Sequence, residues 1–373
     1  MRKIVVFCLL TLALTSCNIF KSNPARVELI EKEKIVIPIG EDIECNTNYF
    51  KLLTNEDNKE LLYYLSNSET LTVFDLQNNN ISFEIPLKQG NDAIHIISKD
   101  SILIIPERTN NLQLVDSKGN TLQTWKTNDI FQDSIVFEHY TIKAYTDNSN
   151  NLNIFLETNH SLRLPEYYLY PKIMYLKINK EGKVIDSKKF AKYPISFYQK
   201  EYMAFDCIFE LNSVGALFVN YMKENCIYEY NKNVEYERTI NFQSKYIKDG
   251  FIYIKKSDSV GLDYNVIQQM SHPFIRALYY DKYRNLYYVS AIHAQNYKNE
   301  DGTLNDYWDR SWSIIVFNSN FEIIDEIYME PKKFRFSELA VSKDGLLISN
   351  NVESNPDFNP DLLQLTLFEV KVK

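Results

Sequence analysis

Apolar residues in this chain come in short runs cut by polar turns, and no long segment repeats them at the 3.6-residue period of a helix. Residues 277–290 set the pattern. Leu278, Tyr279 and Tyr280 stop at a polar tetrad, Asp281, Lys282, Tyr283 and Arg284. Asn285 follows, and a second run opens with Leu286, Tyr287, Tyr288 and Val289. Asn and Asp tolerate left-handed backbone and bond their own main chain, so the stretch predicts a tight β-hairpin. The same figure recurs at residues 340–349 and 144–155. Further hairpins are predicted where residues 71–76 pass through Asn78, Asn79 and Asn80 into 81–86, and where 112–116 pass through Lys118 and Gly119 into 121–125. The same reading covers 174–178 through Gly182 into Val184 and Ile185, 227–230 through Asn231 and Asn233 into Tyr236, and 314–317 through Asn318 and Asn320 into 321–324.

These hairpins recur every few tens of residues, the spacing of propellers and solenoids. Inner runs such as residues 102–105 (Ile-Leu-Ile-Ile) are continuously apolar, as when neighbours cover both faces. The last run of a unit alternates, with Ile81, Phe83 and Ile85 set against Ser82 and Glu84, as an outer strand facing water should. The prediction is an all-β chain: a β-propeller of four-stranded antiparallel blades in one domain, residues 27–373. Six units are laid out at 43–87, 93–126, 140–190, 203–242, 274–329 and 335–370. Residues 245–267 form either an inserted hairpin or a seventh, degenerate blade, and six is preferred. The sixth unit has three obvious strands. Residues 34–39 resemble the last strand of the first unit, proline included. Paired with the final unit, they would close the ring and hide two sheet edges.

The first residues read as a processing signal. Arg2 and Lys3 precede an apolar run, residues 4–14, too short for the about 20 residues that span a bilayer. Residues 14–17, Leu-Thr-Ser-Cys, resemble a lipobox, in which cleavage precedes a cysteine whose thiol takes a lipid. Residues 1–16 are therefore expected to be a lipoprotein signal peptide, Cys17 the lipidated residue and 17–26 a tether. Asn18 is not the Asp of an inner-membrane retention signal, so an outer-membrane lipoprotein of the cell envelope is expected. Cys45, Cys207 and Cys226 remain, an odd number that cannot all pair internally, and free buried thiols are expected.

With its lipobox, its hairpin at residues 279–289 and its length, the chain resembles the six-bladed propeller lipoproteins of Gram-negative bacteria, in particular the domain-of-unknown-function family 4221. The resemblance covers nearly all of the mature chain. It implies a fold and a compartment, and brings no established activity or catalytic residues.

Composition changes this picture little. A formal charge of −8 argues against a phosphate-backbone surface, so no nucleic-acid partner is expected. The chemistry is sought in long second-to-third-strand loops, which should share one face: residues 160–171, 293–312 and 351–361. Tyr167, Tyr168, Tyr170, Tyr307, Trp308 and Trp312 would give that face amphipathic contact surface, with Tyr297 beside them, and Arg163 and Arg310 would anchor a carboxylate or a protein. The competing reading puts these aromatics in the blades' own cores. Glu300, Asp301, Asp306 and Asp309 lack EF-hand spacing, and the five histidines (His95, His139, His160, His272, His293) show no metal-ligand pair, so no metal or cofactor is expected. No nucleophile elbow or phosphate-binding Gly-rich loop is present.

The sequence thus predicts a membrane-anchored binding or scaffold module offering a loop-rich aromatic face to a protein or glycan. The alternative is a propeller hydrolase or lyase acting on a carbohydrate or lactone, with acid and base drawn from Glu166, His160, His293, Asp306 and Arg310.

Overall fold

The turns explain how the blades form. Asp147 accepts the amides of Ser149 and Asn151, each at 2.9 Å, and Asn150 between them takes a left-handed φ of 59°. Asn179, Asn212, Asn231 and Asn318 repeat the arrangement, each accepting the amides two and four residues on. Gly182, Gly215, Val234 and Phe321 hold the left-handed position in those turns. The side-chain oxygen satisfies amides that the ladder leaves over, which fixes the hairpin register. Glycine or asparagine at the left-handed position could be expected. Val234 and Phe321 could not, and both are buried there, so packing outweighs the backbone preference.

In this computed structural model the described residues are 26–40, 43, 49–55, 57–67, 69–87, 91–106, 109–131, 141–158, 168–194, 207–251, 267 and 269–373. Among the described residues the first strand is β1 (Val27–Pro38). Four strands then form the first blade: β2 (Phe50–Thr54), β3 (Glu60–Asn67), β4 (Thr70–Asp75) and β5 (Asn80–Pro86). The second is β6 (Asn91–Ser98), β7 (Ser101–Pro106), β8 (Asn111–Val115) and β9 (Thr121–Lys126). The third is β10 (Ile142–Thr146), β11 (Leu152–Glu157), β12 (Pro171–Ile178) and β13 (Val184–Lys192). The fourth is β14 (Ile208–Leu211), β15 (Leu217–Asn220), β16 (Cys226–Tyr230) and β17 (Tyr236–Asn241). The fifth is β18 (Phe274–Asp281), β19 (Leu286–Ile292), β20 (Trp312–Phe317) and β21 (Ile323–Met329). The sixth takes β22 (Leu339–Ser342), β23 (Gly345–Ser349) and β24 (Leu362–Val372) from the end of the chain. Its fourth, outermost strand is β1, paired antiparallel to β24 from Val27↔Val372 to Pro38↔Leu362. The described residues thus form six four-stranded antiparallel sheets of a β-propeller, closed by the N-terminal strand. The closing strand starts at Val27, well before the stretch at 34–39 that signalled it.

Among the described residues six buried apolar clusters glue the ring, each shared by two neighbouring blades. One joins Ile35, Ile37, Leu347 and Leu363 of the sixth blade to Leu62, Tyr64 and Phe74 of the first. The others join first to second, second to third, third to fourth, fourth to fifth and fifth to sixth. The middle strands are buried throughout, as in β19, β20 and β23. The outer strands β5, β9 and β17 are mostly exposed and each buries one side chain near its far end, Ile85, Trp125 and Ile240. Ile81, expected to face the core, is exposed instead. Accumulated twist lifts the start of these three strands off the neighbouring blade. The closing strand differs, and buries Val27 at its start as well as Ile35 and Ile37.

Cys207 and Cys226 are both buried free thiols. Residues 1–25, with the leader and Cys17, lie outside the described residues, as do Cys45 and residues 252–266 of the segment weighed as a seventh blade. Among the described residues no helix is long and apolar enough to cross a membrane.

Candidate functional site

The first strands of successive blades touch one another: β6 and β10, β10 and β14, β14 and β18, β18 and β22, β22 and β2. They surround a cavity of about 580 Å³, which every one of these six strands helps to line. Volumes of this order are typical of small-molecule sites. Much of the wall is apolar, with Ile94, Ile142, Phe209, Leu278 and Leu339.

Into this wall five of the six inner strands each set a titratable side chain: Lys51 from β2, His95 from β6, Lys143 from β10, Glu210 from β14 and Arg276 from β18. Lys51 Nζ donates to the carbonyl of Ile96 at 2.9 Å and lies 3.4 Å from His95 Nε2. Burial lowers the Lys51 pKa to about 7, helped by the charges of Lys143 and Lys282 and opposed by Glu210. Burial, then Lys51 and Lys143, hold His95 well below its ordinary value, and its Nε2 accepts the Ala144 amide at 3.2 Å. A neutral ring accepting at Nε2 carries its proton on Nδ1. Lys143 and Glu210 form an ion pair at 2.7 Å between the third and fourth blades. Glu210 Oε1 also accepts the amide of Leu211 at 2.9 Å.

Arg276 sits where the β18–β19 register slips between Ile275 and Ala277. Such a bulge re-aims a side chain. No described residue gives Arg276 a hydrogen bond or an ion pair, although it lines the cavity. Tyr49 accepts the Ile96 amide at 3.2 Å, and burial raises the pKa of both Tyr49 and Tyr279, so both are neutral phenols. Thr54 and Tyr283 share a 3.1 Å hydrogen bond between strand ends of the first and fifth blades.

Of the residues expected to bind, those described lie elsewhere. Arg163 and Tyr167 fall outside the described residues, as do His160 and Glu166. Tyr168 and Tyr170 are half-buried, and Tyr168 meets Tyr193 edge-on at 5.6 Å, its pKa raised to about 12 by burial. Tyr307 stacks on Phe274 at 6.3 Å, and Trp308 on Phe336 at 5.0 Å with the Arg335 guanidinium over its ring. Arg310 is buried. Its Nε donates to the His293 carbonyl at 2.8 Å, Nη1 to Gln269 at 2.9 Å and Nη2 to His272 at 3.0 Å. Trp312 lies in the fifth blade's core and donates to the Phe334 carbonyl at 3.2 Å. His293 is set between Ser311 and Ser313, with its pKa lowered to about 4 by burial and by Arg310. Asp306 caps the single turn Tyr307–Asp309 through the Trp308 amide at 2.7 Å. None of Tyr168, Tyr170, Tyr307, Trp308, Arg310 or Trp312 lines the central cavity. Among the described residues no group of three or more His, Cys, Asp or Glu side chains could hold a metal ion.

The cavity set had a signal in the sequence that loop length hid. A lone charged or imidazole residue interrupts the apolar run of five first strands, at Lys51, His95, Lys143, Glu210 and Arg276. A buried strand should not carry such a group unless it faces an opening or a partner.

No family model matches this sequence, and no curated protein matches it. Among solved structures, a member of the domain-of-unknown-function family 4221 from Bacteroides vulgatus superposes with a TM-score of 0.75 at 21% identity, covering 93% of this chain and 99% of that one. A luciferin-regenerating enzyme matches at a TM-score of 0.46 and 10% identity, covering 91% of this chain and 97% of that one. Regucalcin, a calcium-binding protein from Agrobacterium tumefaciens, matches at 0.45 and 13%, covering 90% and 96%. The resemblance read from the hairpins and the length thus holds for the fold: this chain is a six-bladed β-propeller similar to the Bacteroides vulgatus member of family 4221.

Proposed function

We propose that this protein is an envelope-anchored binding module, held to the outer membrane by a lipid on Cys17, that takes its ligand into the central cavity. One observation carries the reading. Polar groups from five inner strands converge on a single cavity of about 580 Å³ whose wall is about half apolar, a size and mixture suited to a small-molecule site. The leader sequence supports the compartment. A hydrolase or lyase draws no ready acid–base pair from His293 and Arg310, whose polar atoms turn to Ser311, Ser313 and backbone carbonyls.

Blocking the cavity tests the ligand site. Ala277→Phe, in the wall, is expected to abolish ligand-induced thermal stabilisation while leaving the unliganded melting temperature within a few degrees. Unchanged stabilisation by ligand would refute the site. Metabolic labelling with a fatty acid tests the anchor, and label persisting in Cys17→Ser would refute it.

A second reading keeps a protein or glycan partner on the loop face, and the fifth blade's long loop favours it. Residues 298–304 fold as a small hairpin, with Lys298 bridged to Leu304, and they leave Leu304 58% exposed. Replacing 299–303 by a short Gly-Ser turn would remove that hairpin and spare Arg310. Capture of envelope glycan or protein unchanged by the replacement would dispose of this reading.

A further inference from the structure

We propose that the central cavity takes a small organic anion, a compact molecule whose carboxylate or phosphate group is held by Arg276. The proposal rests on the cavity being the ligand site and adds the class of ligand.

The charge balance of the wall leads to it. Lys51, Lys143, Arg276 and Lys282 line the cavity, and Glu210 is the one carboxylate among the lining residues. The surplus runs against the whole chain, whose formal charge is −8. Glu210 is already engaged by Lys143 and by its neighbouring amide. Lys51 has a carbonyl and a neutral imidazole for company, and among the described residues no carboxylate forms an ion pair with it. Arg276 has no hydrogen-bonding or ionic partner among the described residues. Cations gathered in a partly desolvated cavity are costly unless an anion joins them.

The shape of the donors narrows the class. A guanidinium presents a planar fork that matches a carboxylate or phosphate with two parallel bonds. The bulge in β18 places that fork on the cavity wall rather than in the sheet. The Tyr49 and Tyr279 phenols stay protonated, so they can donate to an oxyanion and cannot repel it. Beside these donors lie the half-buried Leu52, Ile97, Ile208 and Val341. That wall would pack against the carbon skeleton of an organic acid or phosphoester and gives a bare, strongly hydrated ion little in return.

Isothermal titration of the full-length protein in detergent tests the proposal, with citrate, glycerol 3-phosphate, inorganic phosphate and glucose as probes at pH 6.5 and 8.5. At least one of the two organic anions should bind, at least about tenfold more tightly than inorganic phosphate, and glucose should give no heat. Arg276→Gln should weaken that anion about 10- to 100-fold, the loss expected of a charge-assisted pair. Its melting temperature should match the parent, because among the described residues Arg276 has no hydrogen bond or ion pair to lose. Binding should weaken from pH 6.5 to 8.5 as Lys51 sheds its proton, and Lys51→Gln should flatten that dependence. Failure of both organic anions to bind overturns the proposal. So does glucose binding that survives Arg276→Gln but is lost in Ala277→Phe, and in that case the cavity remains the ligand site. Anion binding untouched by both Arg276→Gln and Ala277→Phe overturns the ligand class and the cavity reading together.

Discussion

Closure of the ring can be tested at one side chain. Ile37 lies on β1, opposite Leu363 of β24, and is 0% exposed in the cluster that joins the sixth blade to the first. Its neighbour Val36 points the other way and is 44% exposed. Ile37→Ala removes three carbons, about 2.4 kcal/mol at roughly 0.8 kcal/mol per buried group. The cavity left behind adds about 1 kcal/mol more, for a total near 3–4 kcal/mol. Val36→Ala should cost at most about 0.5 kcal/mol. Guanidinium unfolding, followed by tryptophan fluorescence, reads the difference as a shift in midpoint at constant slope. Equal costs at the two positions would show that β1 does not alternate between core and solvent. A silent Ile37→Ala would show that the strand does not close the ring.

A Cβ on Gly345 would run into the Phe368 carbonyl of the adjacent strand, so Gly345→Ala should cost more than about 3 kcal/mol, whereas Gly302→Ala, with open space around it, should cost about 1 kcal/mol for its left-handed φ alone. Arg310→Met should destabilise by at least about 3 kcal/mol, because it strips the buried carbonyls of Gln269, His272 and His293 of their donor; melting curves check both. Lys51 and Lys223 lose their protons near pH 7 in the fold but near 10.5 in the unfolded chain. The unfolded chain then binds more protons between those values, so stability should rise from pH 7 to 9.5, and Lys51→Met should remove part of the slope. His95, held below its usual pKa, should make stability fall further as pH drops through about 6.5, an effect absent in His95→Gln.

The blades were legible because short-range physics writes them. Asp147, Asn231 and Asn318 announce turns through their own side-chain hydrogen bonds, and buried runs such as residues 102–105 announce middle strands. Closure was legible from Ile35 and Ile37, apolar positions of alternating parity at the wrong end of the chain. The cavity was not legible, because it exists only once six distant strands meet. Lys51 and Arg276 are more than two hundred positions apart, and nothing local to either names the other. The aromatic loop residues illustrate the opposite hazard. Trp312 and Arg310 carry the composition of a binding face, yet Trp312 fills a blade core and Arg310 ties a loop to its neighbours. Side-chain type alone does not separate an anchor for a partner from an anchor for the chain itself.

What occupies the centre of the ring is the most direct test. Crystals soaked in citrate and, separately, in glycerol 3-phosphate would locate a bound organic anion in difference density. Density for at least one of them is expected inside the central cavity, with an oxyanion within hydrogen-bonding distance of the Arg276 guanidinium, and gone in Arg276→Gln. A cavity that takes up neither, with density confined to lysines on the outer strands, would contradict the central claim.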